Sequence, residues 1–526
     1  MTAPTPLAVL GALYRAGVFN PARVAGSILA ISRWGPTLAS LVATTALTAP
    51  RRAAVIDDAG YLDYRTLDRT STAMAGGLRA LGLGRGTNVG VLHTNGAGFV
   101  EVVVAAAKAD LVPVLLSTGF AAPQLAEVLR REQIGAVVCT DALADVLDQT
   151  GLNLPYAVTD DASMVARRTT QALGRSRGYP LLASLRPRPP TLLTSGTTGS
   201  PKGARRNATA VSLTSATALL QRLPYRSGDI FVVSHPLFHA WGFFQLVSSL
   251  ALGGTLVLPA DSSAASTLEA VATHRAHVLA VVPVLLQRML GPNLNLADYD
   301  LSTLRIVASS GSALPVAIAQ RWMDQVGDNL YNVYGSTEVG QATLASPTDL
   351  RAAPGTVGRA LPGCVVEVLD EVGHRLGVGE VGHIFVGGST QFAGYTDGGA
   401  RPVAHGLIDS GDVGCFDAEQ RLFVTGRSDD MIVSGGENVY PGEVEELLLS
   451  HPGILEASVT AAVDEEFGQR LVARVVASDP ALDERALKRF VAEQLARHKV
   501  PQTIEFVGEL PRTLTGKVRR HRQARS

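Results

Sequence analysis

The sequence predicts an α/β protein: a large N-terminal body of two α/β lobes plus a β-rich subdomain, followed by a small α+β C-terminal domain. Three observations predict it. Short apolar runs alternate with amphipathic stretches through most of the chain. Beyond Gly358 the texture changes to strands and turns. The chain has 526 residues, 46% hydrophobic and 18% charged, enough for large cores but too long for one compact domain, so two or three are expected.

Residues 1–50 are apolar, with Arg15, Arg23 and Arg33 among them. A helical pair packed on the body is the expectation, and contact with a membrane surface stays open. The opening MTAPTPLAVLGALYRAG places Arg15 after the apolar stretch rather than before it, so a signal peptide and secretion are not expected. From about Arg51 the runs NVGVLHTN, LVPVLLS, IGAVVCTD and HVLAVVP read as buried strands, and stretches such as AAPQLAEVLRRE as the helices between them. That is the pattern of parallel sheets covered by helices. Residues 178–190, GYPLLASLRPRPP, read as a linker between the lobes.

Residues 231–260 contain no Asp, Glu, Lys or Arg and are long enough to span a bilayer. However, His235, Pro236, His239, Gln245 and the Gly253-Gly254 pair would put breakers and polar groups into hydrocarbon, so a buried strand, turn and helix are expected instead. Further on, VVEVLDEVGHRLGVGEVGHIFVGG suggests the β-rich unit. Behind the turn-rich GRSDDMIVSGGENVYPGE, the stretches EVEELLLSHPGI and DERALKRFVAEQLARHKV give the α+β pattern of the C-terminal unit. The expected divisions are 1–50, 51–428 and 429–526.

Composition narrows the function classes. Forty-six Lys plus Arg against 47 Asp plus Glu give a net charge of -1, so no whole-protein field would hold a nucleic-acid backbone. Cys139, Cys364 and Cys415 are too far apart for a disulfide scaffold or zinc site, which suits a reducing cytoplasm. Mean hydropathy is +0.19, which keeps membrane association open.

The most informative segment is residues 191–203, TLLTSGTTGSPKG. Glycines let backbone N–H groups converge on an anion, hydroxyls add donors, and Lys202 adds a point charge, a composition suited to a polyphosphate. It is not a Walker A loop, because Lys202 sits between Pro201 and Gly203. These residues resemble the (S/T)SGTTGxPKG phosphate loop of the adenylate-forming superfamily, which comprises acyl-CoA synthetases, nonribosomal-peptide adenylation domains and firefly luciferases. Further motifs follow in the family's order, and the resemblance spans about Arg51 to Lys517.

The resemblance implies the following roles. Thr194, Ser195, Gly196, Thr197, Thr198, Gly199 and Lys202 would grip the β- and γ-phosphates of ATP. In YNVYGSTEVG, Tyr334 would lie against the adenine, Thr337 would contact the α-phosphate, and Glu338 would hold Mg²⁺; Asn332 and Gly335 belong to the same nucleotide site. Gly311, Ser312 and Ala313 would line the adenine pocket. Asp412 and Arg427 would bind ribose, although the family's aromatic-x-Thr-Gly-Asp pattern is here Asp409-Ser410-Gly411-Asp412. Asp429 matches the hinge of a mobile C-terminal domain. Lys517, in PRTLTGKVRR, would bridge the substrate carboxylate and the α-phosphate. Gly435 and Gly436 would wall a coenzyme A tunnel.

The implied reaction is ATP-dependent activation of a carboxylic acid to acyl-AMP, then transfer to coenzyme A. In SHPLFHAWGFFQLVSSLALGG, Phe238, Trp241, Phe243 and Phe244 make the implied acyl wall apolar, and His239 is either a packing residue or a gate. Gly335 stands where acetate-using members carry Trp, which favours an open pocket for medium- or long-chain fatty acids. Aryl acids, an adenylation-only enzyme loading a carrier-protein thiol, and a homodimer remain open.

Overall fold

The computed structural model describes residues 6–159, 188–193, 202–206, 218–259, 261–388, 392–434, 437–464, 468–513 and 516–519. Among them, two large sheets form the body. A nine-stranded sheet runs in the order Arg359–Ala360, Gly340–Ala345, Leu330–Ser336, Ile306–Ser309, Val278–Val281, Ile230–Val233, Thr255–Val257, Ala53–Asp57 and Gly60–Asp63. Its interior pairings are parallel and its edges antiparallel. Strand Val278–Val281 is buried at every position, as a parallel strand covered on both faces must be.

A seven-stranded sheet runs Phe392–Tyr395, Gly203–Arg206, Thr191–Leu193, Val112–Leu115, Asn88–Leu92, Ile134–Cys139 and Tyr156–Val158. The two lobes are therefore not consecutive in sequence, contrary to the linker reading. Ala53–Asp57 and Gly60–Asp63 complete the sheet of the second lobe, and Phe392–Tyr395 returns to that of the first. The hydrogen bonds of an open edge decide this pairing, not the local pattern. One core crosses both sheets, uniting Val89, Val91, Phe231, Val233, Ala280 and Ile306. The expected linker lies outside the described residues except for 188–190.

The N-terminus holds three helices, Pro6–Arg15, Pro21–Trp34 and Leu38–Thr48, rather than a pair. Pro21 at the first turn and Asn20, whose side chain accepts from Ala22 N at 2.9 Å, start the second of these. Residues 231–260 fold as expected into strand Ile230–Val233, helix Ala240–Leu252 and strand Thr255–Val257. No helix among the described residues is long and apolar enough to cross a membrane. Helix Ala240–Leu252 ends at left-handed Gly253, φ 58°. Arg23 donates to Ala251 O at 2.7 Å and Arg52 to Gly253 O at 2.9 Å, setting two cations at the negative end of that helix. This ties the N-terminal helices to the segment expected to wall the acyl pocket.

The β-rich unit is an antiparallel sheet of Cys364–Leu369, Gly382–Gly388, Leu407–Phe416, Val403–Ala404 and Leu422–Arg427. In the small C-terminal domain, helices Pro441–Ser450 and Glu484–Ala492 cover a sheet whose longest pairing joins Ile454–Asp464 to Gly468–Ala477. Val444, Leu448, Val459, Leu471, Val475 and Leu487 form its separate core. Contact with the body is polar at one point: Val316 N, at the start of helix Val316–Gln325, donates to Glu446 Oε1 at 2.7 Å. Burial raises the Glu446 pKa, and the hydrogen bond from Val316 opposes the rise.

Candidate active site

Strands Ile306–Ser309 and Leu330–Ser336 run parallel and end at the same edge of the nine-stranded sheet, where open α/β sheets hold ligands. Their ends open into a cavity of about 2960 Å³ that also takes lining from the β-rich unit and the C-terminal domain. It is larger than a site for one small molecule. Gly311, Ser312 and Ala313 follow the first strand and line the cavity; Ser310 donates to Val333 O at 2.7 Å, joining that loop to the second strand. Asn332, Tyr334, Gly335, Thr337 and Glu338 line it from the second strand and the turn beyond.

The hairpin of Leu330–Ser336 and Gly340–Ala345 is irregular between Tyr334 and Gly335. A Cβ at Gly335 would lie 1.9 Å from Gly340 O, so this close approach demands glycine. In this hairpin Gly335 therefore has a backbone reason of its own, beside the open-pocket reading.

Glu338 is buried, and its two carboxylate oxygens accept from Ser336 Oγ and from Tyr395 OH, both at 2.9 Å. Tyr334 OH donates to Asp412 Oδ2 at 2.7 Å, while Arg427 Nη1 stands 4.0 Å from Asp412 Oδ1. Burial raises the Asp412 pKa even though the Tyr334 hydroxyl, Arg427, Lys517 and Arg401 all pull it down. A largely desolvated carboxylate ringed by donors is suited to receive paired hydroxyls. Burial, and then the Asp412 charge, likewise raises the Tyr334 phenol well above its usual range. Arg427 donates through Nε to Asp429 Oδ1 at 2.9 Å, so the expected ribose and hinge residues are in direct contact.

Lys517 enters from the C-terminal domain on a loop with Gly516 at φ 79°. Arg512 braces the loop, donating to Gly516 O at 2.7 Å and to Glu456 Oε2 at 2.8 Å. The Lys517 side chain is solvent-exposed within the cavity, yet protein surrounds it. That crowding, and then Arg427, lower its pKa, against the pull of Asp412 and Glu338. Lys202 lies across the cavity, ion-paired to Asp397 at 2.9 Å and 5.5 Å over the Tyr395 ring. Thr194, Ser195, Gly196, Thr197, Thr198 and Gly199, and Gly435 and Gly436, lie outside the described residues.

On the apolar side, His239, Trp241, Phe238, Phe243 and Phe244 all line the cavity. Trp241 donates to Val281 O at 3.2 Å, which fixes the ring, and stacks on Phe244 at 6.1 Å between centroids. His235 and His239 are 5.4 Å apart. Burial and then Lys517 push His235 down to about 4; burial, then His235 and Lys517, hold His239 well below the usual range, so both rings are neutral at pH 7. Asn95 holds their loop, donating to His235 O at 3.1 Å and accepting from Leu237 N at 2.8 Å.

Tyr395, Asp397 and Arg401 were not singled out from the sequence. Together they form the turn facing Glu338, Lys202 and Asp412. The aromatic and carboxylate in FAGYTD were the available signal, but their partners are far away in sequence.

The N-terminal body matches the family model described as AMP-binding enzyme over residues 42–396, and residues 443–517 match its C-terminal domain model. The chain belongs to the AMP-binding enzyme family. A fatty acid–[acyl-carrier-protein] ligase of Streptomyces coeruleorubidus is 30% identical over 502 residues, covering 92% of this chain and 96% of the relative. An indoleacetate–CoA ligase of Aromatoleum aromaticum is 31% identical over 478 residues, covering 87% and 92%. The o-succinylbenzoate CoA synthetase of Bacillus subtilis, solved with its acyl-adenylate intermediate, superposes with a TM-score of 0.80 at 25% identity, covering 91% and 96%.

This adenylate-forming family member activates a carboxylic acid with ATP as an acid:CoA ligase, and its cofactors are ATP, Mg²⁺ and coenzyme A. The residues fit these groups. No group of three or more His, Cys, Asp or Glu side chains forms a metal cage among the described residues. Glu338 is a buried carboxylate lining the cavity, the kind of hard oxygen donor that Mg²⁺ takes together with phosphate oxygens.

Proposed function

We propose that the enzyme converts an apolar acid, a medium- or long-chain fatty acid, to acyl-AMP and then to acyl-CoA. The observation that carries this reading is a single cavity lined at once by Lys517, Glu338, Asp412 and the Trp241–Phe244 wall. Two anions, the acid and the α-phosphate, must meet there, and their repulsion has to be offset at the moment of bond formation. Mg²⁺ supplies charge neutralisation on the phosphates when bound, and Glu338 is the residue that would hold it.

The chain's own groups do the rest. Lys202, released from Asp397, serves the terminal phosphates; Asp412 and Arg427 orient the ribose; Tyr334 and residues 311–313 enclose the base. Lys517 sits between the acid and the α-phosphate, with Thr337 beside it. A carboxylate oxygen attacks the α-phosphorus, the bond to the β-phosphate oxygen breaks, and pyrophosphate leaves. The thiolate of coenzyme A then attacks the acyl carbon and AMP departs. The neutral His235 and His239 add no cation that would compete with Lys517 for the acid. Domain rotation about Asp429 would withdraw Lys517 and bring residues 435 and 436 to the thiol path, leaving 429–526 as the moving unit.

The test is pyrophosphate release and thioester formation across acids of increasing chain length. Rates per KM should rise from acetate to medium- or long-chain acids, with acyl-CoA as product. Selective turnover of indoleacetate or benzoate would replace the fatty acid by an aryl acid. Acyl-AMP that is passed only to a carrier-protein thiol would replace coenzyme A.

A further inference from the structure

The N-terminal helices are anchored to the body on one side only. Arg23, Gly26, Ala30 and Trp34 of helix Pro21–Trp34 are buried. Val24, Ile28 and Ile31, spaced i, i+4 and i+7, share another face and are 40%, 65% and 45% exposed. Tyr14, Phe19, Leu29 and Leu47 are exposed nearby in sequence. Of the fifteen large hydrophobic side chains exposed among the described residues, seven fall before residue 50, a concentration that marks an interaction surface rather than scattered exposure.

Two further observations select the occupant. Charge on this segment has one sign: no Asp or Glu precedes Asp57, and Arg15 and Arg33 are exposed. A second copy docked symmetrically would set these arginines against themselves, whereas an anionic surface complements them. The apolar stripe is also continuous with the cavity, because Ile31 lines both. Leu38, Leu41, Val247, Phe244 and Phe243 line the same cavity, the last two on the wall of the acyl side.

We propose that the exposed face of helix Pro21–Trp34, with the exposed side chains flanking it, docks on the interface of an anionic phospholipid bilayer and receives the substrate acid from it on the side of the cavity that Ile31 lines. The docking stands on exposure and charge; delivery rests on the acid being apolar, as proposed above. Amphipathic helices bound in this way bury apolar side chains at the acyl boundary and keep arginines among headgroups.

The test is co-sedimentation of the full-length protein with phosphatidylcholine vesicles, with and without phosphatidylglycerol. Wild type should bind the mixed vesicles and bind pure phosphatidylcholine less. The double variant Ile28→Asp/Leu29→Asp should lose about tenfold or more in binding, since each charge forced among acyl chains opposes insertion. Tyr61→Asp, which replaces an exposed aromatic outside the segment, should bind as wild type does. Equal binding by wild type and the double variant, no binding by wild type, or binding indifferent to phosphatidylglycerol overturns the proposal. So does sedimentation velocity showing a wild-type dimer that the double variant dissolves. Pyrophosphate release from a short, water-soluble acid, measured on the same samples, should be unchanged in the double variant. Vesicle binding by a wild type that releases no pyrophosphate would retain the docking and remove the reaction.

Discussion

Asp412 accepts a hydrogen bond from Tyr334, faces Arg427 and Lys517, and still has a raised pKa because burial dominates. Its replacement by Asn keeps the shape and removes the charge. KM for ATP should rise by about tenfold or more, since hydrogen bonds to a charged group contribute roughly 1.5–3 kcal/mol. Lys517→Ala should lower acid-dependent pyrophosphate release by about 100-fold or more, the scale of losing one transition-state donor, while thioester formation from supplied acyl-adenylate continues. Because its pKa lies below the ordinary 10.5, Lys517 loses its proton earlier on raising pH than a free lysine does. The alkaline limb of pyrophosphate release should therefore fall below pH 10.5, and a limb at or above that value would contradict the environment described. These side chains were legible because each sits in a short motif whose chemistry needs that residue type. Tyr395, Asp397 and Arg401 were not, since a tyrosine 57 residues beyond Glu338 reveals its partner only when the turn folds against it.

Helix Ala97–Lys108 ends in a lysine with no exposed side-chain surface. Its ammonium, with three protons to donate, is surrounded by four acceptors, Asp68 Oδ1 at 2.7 Å, Asp68 O at 2.6 Å, Ser71 Oγ at 2.9 Å and Thr72 Oγ1 at 2.8 Å, and lies 5.4 Å from the Trp34 ring centroid. It thereby connects helices Tyr64–Ala80 and Pro21–Trp34. Burial outweighs Asp68 and lowers its pKa from 10.5 to about 8. Between those values the unfolded chain binds the proton that the folded chain has lost, so the contribution of this residue to stability rises with pH. Lys108→Ala should destabilise by about 3 kcal/mol in denaturant unfolding at neutral pH and flatten that rise. Elements of this kind were readable as apolar helices and strands, including the strand, turn and helix of 231–260. Their partners were not: that Ala53–Asp57 pairs with Thr255–Val257 is set by a sheet edge about 200 residues away, and local pattern carries no sign of it.

At the scale of the molecule, two domains meet across the cavity, and the Glu446 contact at the start of helix Val316–Gln325 helps hold Lys517 inside it. Glu446→Ala should favour withdrawal of the C-terminal domain, slowing pyrophosphate release several-fold with less effect on thioester formation. Asp429→Pro, by stiffening the proposed hinge, should do the reverse, and equal losses in both half-reactions would contradict rotation. The order of the motifs made a joined cleft legible in the sequence, whereas the apolar lining that reaches Ile31 depends on packing between distant helices. The central claim is that the acid's own oxygen attacks the α-phosphorus of ATP. It is tested most directly by supplying acid labelled with ¹⁸O in its carboxylate, together with ATP, Mg²⁺ and coenzyme A, and weighing the products. One labelled oxygen should appear in AMP and none in pyrophosphate. Unlabelled AMP, or label emerging in inorganic phosphate alongside ADP, would contradict it.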